Sequence, residues 1–172
     1  AIINSLVRKR ELSKGTKIEN IYESFFPFTQ KAKSYYFLYG KKGFRAYQVL
    51  ILNEHVSEFV DDLIKLIKKY SPDVTIIGIK PFRGEQKFLQ FCRNGTSIIL
   101  EMRNTKDNTN FLLKLDELTI EYNGLPYIIK DSRLPKNVVE KCYPQFKKFK
   151  KILDKVDPDR VFRSHTAKQL GL

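Results

Sequence analysis

The sequence predicts an α+β domain in which an antiparallel sheet carries its helices on one face, in the ferredoxin-like order βαββαβ. Three observations lead there. Two stretches repeat their apolar residues at helical spacing, Val56 to Ile67 and Phe111 to Ile120. Runs rich in β-branched and aromatic residues precede, separate and follow them. Between two of the runs that separate the helices stands Asn94-Gly95, a dipeptide typical of tight hairpin turns.

Taken in order, residues 1–42 are irregular: Ile2, Leu6 and Val7 suggest a short helix, and Phe25, Phe26, Pro27 and Phe28 an apolar knot, so the segment reads as connector and edge. Gly40 and Gly43 punctuate the start of a strand over Phe44 to Leu52. Over Glu54 to Lys69, Val56, Phe59, Val60, Leu63, Leu66 and Ile67 oppose Asp61, Asp62, Lys65 and Lys68, an amphipathic helix that Pro72 ends. A second strand spans Val74 to Phe82. Beyond Gly84, Phe88 to Arg93 and Thr96 to Arg103 flank Asn94-Gly95 as the arms of a hairpin. A helix over Asn108 to Tyr122 stops at Asn123-Gly124, and a short strand follows at Leu125 to Ile129. After a break at Pro135 a last helix is expected over about Tyr143 to Val156, with one more turn within Val161 to Leu172. The organisation is thus a connector (1–42), a ferredoxin-like substrate-domain core (43–130) and a C-terminal helical tail (131–172).

Alternation sorts the strands into faces. One face takes Phe44, Ala46, Gln48 and Leu50, then Ile76, Gly78, Lys80 and Phe82, with Ser97, Ile99 and Glu101. Apolar groups mixed with an amide, an ammonium and a carboxylate suit the wall of a pocket; a half-exposed sheet with scattered apolar residues fits the same pattern.

With 172 residues the chain has the size of one domain, and its 42% hydrophobic content is that of a globular chain. The excess of 32 Lys and Arg over 19 Asp and Glu raises the prior for an anionic partner. The densest run, Lys147, Lys148, Lys150, Lys151 and Lys155, interleaves with Phe146, Phe149, Ile152 and Val156 and reads as the solvated face of a helix. Cys92 and Cys142 are far apart, as are His55 and His165, so neither a zinc site nor a disulfide scaffold is indicated. With neither a membrane-length apolar run nor a secretory leader, a soluble cytoplasmic chain is the simplest expectation. The chain begins at Ala1 and its one methionine is Met102, which reads as processing or as an excised piece.

No phosphate loop, nucleophile elbow, HExxH motif or paired-carboxylate constellation is present. Lys130 and Arg133 stand where a buried strand ends, a position that in isolation reads as a strand exit with a salt bridge. The order of several motifs says more. Lys130-Asp131-Ser132-Arg133, Tyr143-Pro144, Lys155-Val156-Asp157-Pro158-Asp159-Arg160-Val161-Phe162 and the ending Gln169-Leu170-Gly171-Leu172 resemble the C-terminus of the decaprenylphosphoryl-ribose 2'-oxidase family, FAD enzymes of the vanillyl-alcohol oxidase class. Tyr39-Gly40, Gly43-Phe44, Tyr47-Gln48 and Lys80-Pro81-Phe82 extend the likeness upstream to about Phe25.

This resemblance implies a two-part enzyme in which FAD is bound mostly by a preceding domain and the present sheet roofs the flavin. In the family the positions of Gln48 and Lys80 line the substrate pocket, Phe82 contributes to its wall, and Lys130 reaches both flavin and ligand. The implied reaction is hydride transfer from a sugar or polyol carbinol, phosphate- or lipid-linked, to flavin N5, with the fragment alone inactive. Peripheral membrane association would suit such a substrate. Three positions depart from the family pattern: Ile99 stands where the pocket carries a cysteine, Ser97 where it carries an asparagine, and Ala46 where a Gln-Tyr-Gln run begins. These departures bear on the substrate rather than on hydride transfer. Two other readings are a sugar-1,4-lactone oxidase of the same flavin class and a basic ferredoxin-like module binding nucleic acid through Phe44, Tyr47 and Phe82. The latter lacks the Lys/Arg-Gly-Phe signature of such modules, so nucleic acid is not the expected partner.

Overall fold

The computed structural model describes residues 18, 20, 21 and 39–172. The short helix expected around Leu6 and the apolar knot at Phe25–Phe28 lie outside the described residues. The chain forms two compact units, residues 1–40 and 41–172, and the second is described below.

Its elements follow the predicted order. Strand β1 (Phe44–Ile51) leads through a 3-10 turn at Asn53–His55 into helix α1 (Val56–Tyr70). Ser71 ends α1 in a left-handed conformation with φ of 46°, its N–H returning to the Ile67 carbonyl, and Pro72 forbids further helix. Strands β2 (Val74–Phe82) and β3 (Gly95–Arg103) follow, then helix α2 (Lys106–Glu121). Thr105 caps α2, its side chain accepting from the Asn108 N–H. A two-residue strand β4 (Leu125–Pro126) precedes helices α3 (Lys136–Cys142), α4 (Phe146–Val156) and α5 (His165–Leu170).

The sheet order is β2-β3-β1-β4 with every pairing antiparallel, which is the ferredoxin-like arrangement the sequence predicts. Tyr47, Val49, Ile51, Ile98, Leu100 and Met102 point from one face into a core shared with Phe59 and Leu63 of α1 and Phe111, Leu112 and Leu115 of α2. Each such side chain contributes about 1.5–3 kcal/mol by leaving water. At the outer strand β2 the cover fails: Ile77 and Ile79 are exposed, and Pro81, which donates nothing to a ladder, is tolerated there because one side of the strand is unpaired.

Three expectations need correction. Phe88 to Arg93 is not a strand, and Asn94-Gly95 is not a hairpin turn. Instead β2 pairs directly with β3, Phe82 opposite Gly95, and residues 83–94 form a loop that Asn94 closes by accepting from the Gly84 N–H at 3.0 Å. Gly95 is required by the approach of β1, since a Cβ there would stand 2.3 Å from the Ile51 carbonyl oxygen. The strand expected to Ile129 ends at Pro126; the Tyr127 N–H makes one more ladder bond, to the Gln48 carbonyl, and the chain then turns, closed by Lys130 N–H to Tyr127 O. The helix expected over about Tyr143 to Val156 is α4, which begins only at Phe146, and an unexpected helix, α3, precedes it; Pro144 drives Tyr143 into extended backbone and separates the two.

Candidate functional site

The register assembles the face derived from alternation. Gln48 pairs with Ile99, and Ile99 with Gly78; Leu50 pairs with Ser97, and Ser97 with Lys80; Ala46 and Ile76 both oppose Glu101. Directly opposed residues point the same way, so Gln48, Lys80, Phe82, Ser97 and Ile99 share the face opposite the helices. Tyr47 points the other way: it is 1% exposed, its hydroxyl hydrogen-bonds Thr119 at 2.9 Å, and burial holds its phenol well above the ordinary range. It cannot stack a base, which removes one of the three aromatics of the nucleic-acid reading.

On this face the Gln48 amide donates to the Ser97 hydroxyl at 2.9 Å, and both residues are buried, at 6% and 0% exposure. The bond fixes the carboxamide and leaves Oε1 and one N–H of Gln48 without a partner among the described residues. Ser97, fully buried, serves here to hold the Gln48 side chain. Ile99 is buried beside them, while Lys80 is exposed on the outer strand, its ammonium unpaired among the described residues.

Lys130 comes from a different element. Its turn hangs from the Gln48 carbonyl through the Tyr127 N–H at 2.7 Å, so the same residue that presents an amide to the face also anchors the segment carrying Lys130. The next residues lock that segment down. Arg133 donates to Asp116 of α2 at 2.7 and 3.1 Å and to Asp131 at 2.7 Å, and the three groups are almost fully buried. Asp131 also accepts from the Arg133 N–H at 3.0 Å. Burial drives the Asp116 carboxyl up against the downward pull of the guanidinium, so the pair holds its charges only because each ion satisfies the other. The salt-bridge reading of the strand exit was therefore right for Arg133, while Lys130 itself is exposed, with no partner among the described residues.

Phe91 and Tyr127 were not singled out in the sequence. Phe91 stacks on Tyr127 with centroids 4.5 Å apart and meets Phe82 edge-on at 5.5 Å. The three rings run from the end of β2 to the segment after β4 and cap one end of the face. Arg93 pins the same loop, donating to the carbonyls of Leu50 (2.9 Å) and Asn123 (2.6 Å), and burial lowers its pKa. Their only sequence signal was the aromatic content of residues 82–91, which reads as strand when local pattern is the sole guide.

The tail motifs are also structural. Asp157 accepts from the N–H groups of Val161 (2.8 Å) and Phe162 (3.1 Å), ending α4 and turning both side chains outward, 75% and 87% exposed. Ile129 and Val156 are likewise 80% and 73% exposed. Among the described residues, no helix is long and apolar enough to cross a membrane.

Comparison with known proteins agrees with the motifs. Residues 92–170 match the family model for D-arabinono-1,4-lactone oxidase. The chain is 28% identical over 158 residues to decaprenylphosphoryl-beta-D-ribose oxidase of Mycolicibacterium smegmatis, a match that covers 91% of this chain and 34% of that protein. It is also 31% identical over 90 residues, 52% of its length, to an uncharacterized protein in the mprA 5' region of Streptomyces coelicolor, of which the match covers 24%. The chain thus spans about a third, or less, of the curated relatives it matches. Residues 92–170, and most of the chain, are thus similar to proteins described as oxidases.

Proposed function

We propose that this chain is the substrate-side part of an FAD-dependent oxidoreductase that removes a hydride from a sugar or polyol carbinol. The observation that carries the reading is that Gln48 and Lys80 share one sheet face while the Gln48 carbonyl, through the Tyr127 N–H, anchors the turn that carries Lys130. Bound flavin would accept the hydride at N5 and gain negative charge near N1 and the C2 carbonyl. The residues present fit that group: Lys130 is an ammonium with no partner among the described residues, on a turn held by Arg133, suited to stabilising such charge once water is excluded.

Gln48, fixed by Ser97, offers one acceptor and one donor to a carbinol and its neighbouring hydroxyl, which orients the reacting C–H. Lys80, at the exposed border of the face, suits a phosphate or another anionic substituent, and Phe82 forms an apolar wall. Ile99 fills the position between Gln48 and Gly78, so the pocket there is apolar and bulky. The exposed Ile129, Val156, Val161 and Phe162 provide a surface for packing against a flavin-binding domain of the same polypeptide. The lysine-rich face of α4 suits anionic lipid if the substrate is lipid-linked, with the enzyme cytoplasmic and peripheral to the membrane.

A sugar-1,4-lactone oxidase is the second reading, favoured by the family model that residues 92–170 match. It uses the same face and differs in the ring presented to Gln48. The test is anaerobic: the polypeptide carrying this chain with its flavin-binding domain is mixed with polyols, sugar phosphates and aldonolactones, and the visible flavin absorbance is followed. Bleaching by a sugar carbinol compound supports the reading, and the bleaching substrate decides between the two versions. A polypeptide that holds no flavin overturns both. The 172-residue chain alone is expected to be inactive.

A further inference from the structure

We infer a second site: the cleft at the neck of the 83–94 loop binds a small oxyanion such as a phosphomonoester. The cleft has a volume of about 440 Å³ and is lined by Asn53, Pro81, Phe82, Arg83, Asn94 and Gly95. It lies where the end of β1, the end of β2 and the start of β3 meet, and it is built rather than incidental. Asn94 Oδ1 accepts from the Gly84 N–H at 3.0 Å, closing the loop, and Asn53 Oδ1 accepts from the Thr96 hydroxyl at 3.2 Å. With both carboxamide oxygens engaged, the donor ends of both amides are left over. The Arg83 guanidinium has no partner among the described residues.

The lining therefore offers two amide donors and a guanidinium fork, and no carboxylate stands among them. A cleft that presents donors without acceptors selects a ligand that presents acceptors without donors, and a guanidinium favours the two-oxygen edge of a phosphate or carboxylate. Phe82 and Pro81 supply apolar walls, and the volume leaves room for a sugar or another small group carrying the anion. Arg93 is committed to the carbonyls of Leu50 and Asn123, so it adds positive potential near the neck without being a ligand. The inference stands on the cleft alone and is independent of any flavin chemistry.

The test is a titration of the isotopically labelled chain with inorganic phosphate at constant ionic strength, following backbone amide shifts. Saturable shifts at Gly84, Asn94 and Gly95, with half-saturation on the order of 1 mM, are expected. Arg83→Gln, at an exposed residue without a partner, should weaken binding about tenfold. Asn53→Asp, which places a carboxylate in the lining, should abolish it. Both variants should keep the shifts of the helices unchanged. Absence of saturable shifts, equal shifts from chloride or ribitol, or phosphate affinity that Arg83→Gln leaves intact would each overturn the inference.

Discussion

Arg133 and Asp116 lie on segments far apart in sequence, and their two hydrogen bonds, at 2.7 and 3.1 Å, tie the turn that carries Lys130 to the middle of α2. Removing one member strands the other charge in the interior. Arg133→Met is therefore expected to cost about 3–5 kcal/mol in urea unfolding, far more than loss of an exposed, solvent-screened pair such as Lys114–Glu117. A loss under about 1 kcal/mol would mean that the guanidinium is solvated and the lock is weak.

The aromatic row should behave as a lid fixed to the sheet. Phe91→Ala removes the two ring contacts that Phe91 makes and leaves Phe82 and Tyr127 without their shared neighbour. A loss of about 2–4 kcal/mol is expected, with faster hydrogen exchange in residues 83–94 than in β3. Uniform exchange across loop and strand would argue against a separate cap.

Buried Cys142 has its thiol pushed up to about 12 by burial, with Asp116 reinforcing the shift, whereas Cys92 is only partly buried. At mildly alkaline pH, a thiol reagent should label Cys92 first and Cys142 only on unfolding. The sign of the linkage follows. The folded state keeps the Cys142 proton longer than the unfolded one, so its contribution to stability is intact below pH 9.0 and is lost as pH rises through about 12. Cys142→Ala should flatten the fall in stability over that window.

How far the sequence could be read is clear from these same residues. Periodicity placed β1, α1, β2, β3 and α2, because burial of one face imposes a pattern that local sequence carries. Alternation placed Gln48, Lys80, Phe82, Ser97 and Ile99 on one side, and the register agrees. What failed was non-local. Asn94-Gly95 looked like a hairpin turn because nothing near it announces that Asn94 bonds Gly84 or that Gly95 lies against Ile51. Phe91 looked like a strand residue because its partner Tyr127 stands beyond a whole helix. Helix α3 was missed, although Pro144, the local cause of its separation from α4, stands in the sequence. The Lys130 segment was recognisable as a motif, yet the Asp116 contact that fixes it joins two segments with no shared pattern.

The most direct test of the central claim is the rate of anaerobic flavin bleaching in the flavin-bearing polypeptide, compared between the unaltered protein and Lys130→Met. Lys130 is exposed and has no partner among the described residues, so the variant should fold and hold flavin. Its bleaching should slow by about 10²–10³ if a fixed ammonium stabilises the reduced flavin. An unchanged rate, with flavin bound and sugar saturating, would contradict the account.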